Sequence, residues 1–103
     1  DNILKILSTS KDEGEILIAI IALQDKPKYQ YTDWLIEKIG AENKFIGNQA
    51  ALALHNMTYT VSKERKGEFK SKLEKLLQLV DITPNSLKIQ SVVKETIRLI
   101  DKK

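Results

Sequence analysis

Apolar residues recur along this chain at steps of three and four, the spacing that gathers side chains on one face of an α-helix. No segment alternates apolar and polar residues for more than a few positions, and no Asn-Gly or Asp-Gly pair offers a hairpin turn, so strands are not expected. Ile3, Leu4 and Leu7 begin the series on a short helix that ends near residues 8–10. Ser10 and Glu13 then fit a capping box, in which hydroxyl and carboxylate each take a free amide at the helix start. Asp12, Glu13 and Glu15 place negative charge where the helix dipole favours it. The apolar run over residues 16–23 predicts that this second helix is buried nearly all round, and Pro27 stops it.

Residues 26–31 read as a loop. Thr32 caps a third helix with Asp33 in its first turn and Leu35, Ile36 and Ile39 as its stripe. Gly40 stands where a left-handed residue ends many helices. A fourth helix runs from about residue 43 to about residue 58, with the stripe Ile46, Ala50, Ala53, Leu54 and Met57. Its alanines, and Gly47 beside them, let a neighbouring helix approach closely. A fifth helix follows Ser62 and carries Phe69, Leu73, Leu76, Leu77 and Val80, with Gly67 favouring an irregular start. The sixth opens on Thr83-Pro84, carries Leu87, Val92, Val93, Ile97, Leu99 and Ile100, and ends in Lys102 and Lys103.

The six helices group as three antiparallel pairs. Residues 19–25 of the second helix align with residues 50–56 of the fourth at an offset of 31, and the spacing of Ala50 to Leu54 returns at Val93 to Ile97, an offset of 43. A recurring helical pair is the unit of a solenoid, because one pair cannot bury its own apolar face. The segment Phe45-Ile46-Gly47-Asn48-Gln49-Ala50-Ala51-Leu52-Ala53-Leu54 resembles the second helix of a HEAT-like or armadillo-like α-helical repeat. That resemblance implies an all-α superhelix, and a scaffold that holds partners along its surface. A compact six-helix bundle of the death-domain type is the alternative.

At 103 residues, 42% apolar and 30% charged, the chain has the size and balance of one globular domain spanning residues 1–103. It begins at Asp1, which predicts a domain cut from a larger protein, and without secretory marks a cytoplasmic location is expected. With no cysteine and one histidine, thiolate and multi-histidine metal sites are excluded, and neither a metal nor a cofactor is expected. No apolar run reaches the ~18 residues of a membrane span. The net charge of +3 is uneven: residues 1–61 hold 6 basic and 8 acidic groups, whereas residues 62–103 hold 11 and 6.

Little in the chain promises catalysis, and no enzymatic activity is expected. His55 has no carboxylate three or four residues away on its helix, only Tyr59. Capping accounts for Asp12 and Glu13. Gly40 and Gly47 are followed by no Gly-Lys-Ser/Thr, so they form no phosphate loop. Asn56-Met57-Thr58 matches a glycosylation sequon but falls inside a predicted helix.

Two surfaces remain. Tyr29, Tyr31 and Trp34 cluster near Lys28, a composition suited to a protein interface, with Tyr59 as a further contact, or to plugging a gap between helix pairs. Lys63, Arg65, Lys66, Lys70, Lys94 and Arg98 form a second set that could bind nucleic-acid phosphates, although interleaved glutamates read as a solvated helix face. The favoured expectation is a non-catalytic interaction module that binds a protein or a neighbouring domain; nucleic-acid binding is the alternative.

Overall fold

A polar residue starts most of the helices, though not always the one expected. The computed structural model describes residues 2–40, 43–79 and 86–102. They form α1 (Asn2–Ser8), α2 (Glu13–Asp25), a 3₁₀ turn (Tyr29–Tyr31), α3 (Thr32–Ile39), α4 (Lys44–Met57), α5 (Lys63–Leu79) and α6 (Leu87–Asp101), with no strand among the described residues. Val80, the Thr83-Pro84 start of the last helix and Lys103 lie outside them.

Asn43 caps α4: its side-chain oxygen accepts from the amides of Phe45 and Ile46 at 2.9 and 3.4 Å. The start of α2 corrects the sequence reading. Asp12, not Ser10, is the cap, accepting from the Glu15 amide at 3.0 Å. Ser10 braces that cap from outside, accepting from the Asp12 amide and donating to the Glu15 carboxylate at 2.6 Å. A carboxylate next to the first turn satisfies the amides and meets the dipole with full charge, which a hydroxyl two residues earlier cannot do.

Thr32 likewise lies inside α3 rather than capping it; its hydroxyl donates to the Tyr29 carbonyl at 2.6 Å and secures the 3₁₀ turn within the expected loop. Gly40 ends α3 at φ −81°, not in the left-handed region. Its amide closes a tight bond to Glu37, so the termination needs no special backbone. α5 runs unbroken through Gly67.

The helices pack as three hairpins, α1 with α2, α3 with α4 and α5 with α6. Across the last hairpin Lys70 pairs with Asp101 while Leu77 lines a groove with Ile97, so the two helices run antiparallel. α4 also packs on α2 and α6, making a layer in the order α2–α4–α6. α1, α3 and α5 form the other layer, and the whole is a slab of 34 × 33 × 18 Å. Such a slab fits both a short superhelix and a compact bundle. The radius of gyration, 12.9 Å, matches the roughly 13 Å of a closed globule this long.

α4 holds the slab together. Ile46, Ala50, Ala53, Leu54 and Met57 are all buried, as their periodicity predicts, and so are Gly47 and Ala51. A Cβ on Gly47 would lie 2.9 Å from the Ile39 carbonyl oxygen and 3.4 Å from Ile89 Cδ1, so α3 and α6 both close on this one position. Around it pack Ile20, Leu23, Leu35, Phe69, Leu73, Val93 and Ile100, each large aliphatic contributing about 1.5–3 kcal/mol on burial.

The second helix departs from its expected burial. Ile16, Ala19, Ile20 and Leu23 are inside, but Ile18, Ile21 and Ala22 face solvent. Among the described residues no further element covers the outer side of α2.

Candidate interaction surface

The aromatic cluster sits at the seam of the α1–α3–α5 layer. Trp34 is half-buried, and its indole N–H donates to the Ser8 carbonyl at 2.9 Å, tying α3 to the end of α1. Tyr31 meets Trp34 edge-on at 6.3 Å. Tyr29 meets Phe69 edge-on at 6.0 Å, donates its hydroxyl to Glu68 at 2.6 Å and lies under the Arg65 guanidinium at 4.7 Å. Lys72 reaches Asp33 at 2.7 Å beside it. Tyr29 and Trp34 thus direct their polar atoms into the molecule and join hairpin to hairpin. Lys28 is half-buried next to them, and Tyr59 lies apart, on the other layer.

Burial first, and then the bond to Glu68, push the Tyr29 phenol above its ordinary value of 10.0. The folded phenol holds its proton more tightly than the unfolded one, so this contribution is complete below about pH 10 and is lost as the pH rises above it. In Tyr29→Phe the stability lost on raising the pH from about 9 to 11 should be smaller than in the wild type. Urea unfolding across that range checks it; equal slopes would show that the hydroxyl is not held.

Half of the second basic set is already engaged. Lys70 pairs with Asp101 at 2.7 Å, and this bond raises the lysine's pKa. Arg98 binds Glu95 through more than one nitrogen and holds that carboxyl below the usual carboxylate range. Arg65 stacks on Tyr29. Lys63 and Lys66 line an open groove of about 350 Å³ with Val61 and Ser62. Lys94 lines another of about 400 Å³ with Glu74, Leu77, Gln78 and Ile97. Three of the six cations thus have partners, and the other three line two separate grooves.

The feature that sequence reasoning missed is the outer face of the α2–α4–α6 layer. Phe45 and Leu52 lie two turns apart on α4, and Tyr59 follows seven residues later in the turn that ends the helix. They are 55%, 37% and 68% exposed, and Ile18 and Ile21 of α2 are 56% and 50% exposed. Scattered exposed apolar residues are ordinary, but five large ones on adjoining helices of a small domain are not. The row of inter-helix hydrogen bonds beneath them is polar: Gln24 donates to the Gln49 backbone and side chain at 2.9 and 2.8 Å, and Asn56 donates to the Gln24 carbonyl at 3.0 Å. These bonds fix α2 against α4, so the apolar side chains stand on a rigid base. Asn48 lies on the same side of α4, and its Oδ1 is buried without a hydrogen-bond partner. The signal in the sequence was the uninterrupted apolar run of α2, too apolar for a helix at the surface of so small a domain.

His55 is half-buried, edge-on to Tyr59 at 6.0 Å, and 3.5 Å from Asn56 Oδ1. Among the described residues no three His, Cys, Asp or Glu side chains gather to hold a metal, and no helix is long and apolar enough to cross a membrane. No protein-family model matches the chain, and searches of curated proteins and of solved structures likewise find no match.

Proposed function

We propose that this chain is a non-catalytic interaction module, a short HEAT-like stack of helical hairpins that docks a protein partner or a neighbouring domain in the cytoplasm. The observation that carries this reading is the apolar outer face of the α2–α4–α6 layer, with Phe45 and Leu52 on α4, Tyr59 in the turn after it, and Ile18 and Ile21 on α2. Aromatic and large aliphatic side chains on a rigid base lose little conformational freedom on docking, which makes them suitable interface anchors. Of the residues singled out from the sequence, Tyr59 belongs to this surface. Tyr29, Tyr31 and Trp34, with Lys28 half-buried next to them, contribute through the contacts that the aromatic side chains make between the hairpins that present it. The nucleic-acid reading has less support, since Lys70, Arg98 and Arg65 have partners of their own.

The test compares the wild-type chain with the double variant Phe45→Ser, Leu52→Ser, immobilised and exposed to cell extract. Both side chains are exposed, so the helical circular dichroism and the melting temperature should stay close to wild type. A protein retained by the wild type and lost from the variant is the expected result. Equal retention by both, or a gel shift with duplex DNA or RNA at low salt that vanishes at high salt, would overturn the reading.

A further inference from the structure

The outer face of the α2–α4–α6 layer is charged differently on its two flanks. α2 contributes Glu13, Glu15 and Asp25 against one cation, the exposed Lys26 at its C-cap. α6 with its capping Lys102 carries four cations against two carboxylates, Glu95 paired with Arg98 and Asp101 with Lys70 of α5; Lys94 turns to the groove against α5, while Lys88 and Lys102 are exposed. Between the flanks α4 exposes Phe45 and Leu52, with Tyr59 exposed in the turn that follows it. The two flanking helices thus carry opposite net charge on either side of an apolar centre.

We infer that the occupant of this face is a second copy of the same chain, joined about a twofold axis that runs along α4. This rests on the interaction-module reading and names its partner. A twofold axis parallel to α4 lays α4 on its own copy and carries α2 of each protomer over α6 of the other. Apolar side chains then meet apolar ones in the middle, while carboxylates face lysines on both sides. The perpendicular axis in the same plane would instead set acid over acid and base over base. Isologous contacts of this kind are the commonest way for soluble chains to form closed oligomers. The area suffices: the slab face measures 34 × 33 Å, and a standard interface takes about 800 Å² from each partner. Charge on the flanks sets the register and excludes the alternative orientation, and the central anchors supply most of the affinity.

Sedimentation equilibrium of the intact chain at about 100 µM should give a dimer whose dissociation constant rises with salt. Leu52→Asp should weaken self-association by about 100-fold or more while leaving the helical spectrum and melting behaviour of the monomer in place. Glu15→Lys with Asp25→Lys should weaken it as well, as should Lys88→Glu with Lys102→Glu. Mixing these two double variants should restore a mixed dimer, which only the α2-over-α6 arrangement provides. A wild-type monomer at that concentration, or a dimer indifferent to Leu52→Asp, overturns the inference. So does failure of the mixed charge variants to associate. A monomeric chain that still retains a foreign protein through Phe45 and Leu52 leaves the interaction module standing and removes only the self-pairing; a monomer that retains nothing removes both.

Discussion

Replacing Phe69 by alanine should cost this domain about 3–5 kcal/mol, the range for emptying a large, fully enclosed aromatic site. Phe69 is wholly inaccessible on α5, and its ring supports the edge of Tyr29. Small domains have about 5–15 kcal/mol of stability in all, so the loss is a large part of the whole. At about 4–8 °C per kcal/mol for a chain near this length, the melting temperature should fall by at least roughly 12 °C. A second readout separates this site from an ordinary core position. Burial is the main reason the Tyr29 phenol is raised, so opening the space beside it should bring its ionisation back toward the ordinary range. Urea unfolding measures the first effect, and an ultraviolet alkaline titration the second. A loss under about 1 kcal/mol, the level of a surface substitution, would mean that α5 is not anchored as described.

Gly47→Ala should also destabilise, by about 1–2 kcal/mol, although alanine is the better helix former. In an exposed helix the change would gain up to about 1 kcal/mol. Here the new Cβ would stand 2.9 Å from the Ile39 carbonyl oxygen, a backbone atom that cannot turn aside, and 3.4 Å from Ile89. Overfilling a packed contact costs about 1–3 kcal/mol, and the clash on this helix is enough to outweigh the propensity gain. Gly67 supplies the control within the same chain: a Cβ there meets nothing within 4 Å, so Gly67→Ala should stabilise by roughly 0.5–1 kcal/mol. The two glycines should thus respond with opposite signs in paired denaturant titrations. If Gly47→Ala also stabilised, α3 and α6 would have to lie farther from α4 than their contacts indicate.

The same two glycines show how far sequence reasoning reaches. Both sit in strongly periodic helices, and periodicity places each helix to within a residue or two. Gly47 reads correctly as a close approach because alanines flank it on the buried stripe. The neighbours that make it close, the Ile39 carbonyl and Ile89, come from 8 residues before it and 42 after, and no local pattern encodes that meeting. The aromatic loop is a comparable case. Composition alone leaves Tyr29 and Trp34 suited to a partner or, more readily, to a seam; the bonds to Glu68 and Ser8 place their polar atoms within the fold. Caps were legible only in part, because Ser10, Asp12, Thr32 and Asn43 all have oxygens that can accept amides. Which oxygen does so depends on where the backbone enters the helix.

Periodicity of apolar side chains determined six helical segments, and composition determined the absence of cysteine chemistry. Both follow from interactions within a few residues, which the order of amino acids states directly. Which flank of each helix is covered was decided only in three dimensions. Ile16 and Ile18 are two residues apart in one apolar run, yet one is enclosed and the other faces water, because α1 and α4 approach α2 from one side and, among the described residues, no third element covers the other. An apolar face becomes a docking surface only when the fold runs out of helices to cover it, and that shortfall belongs to the packed slab as a whole.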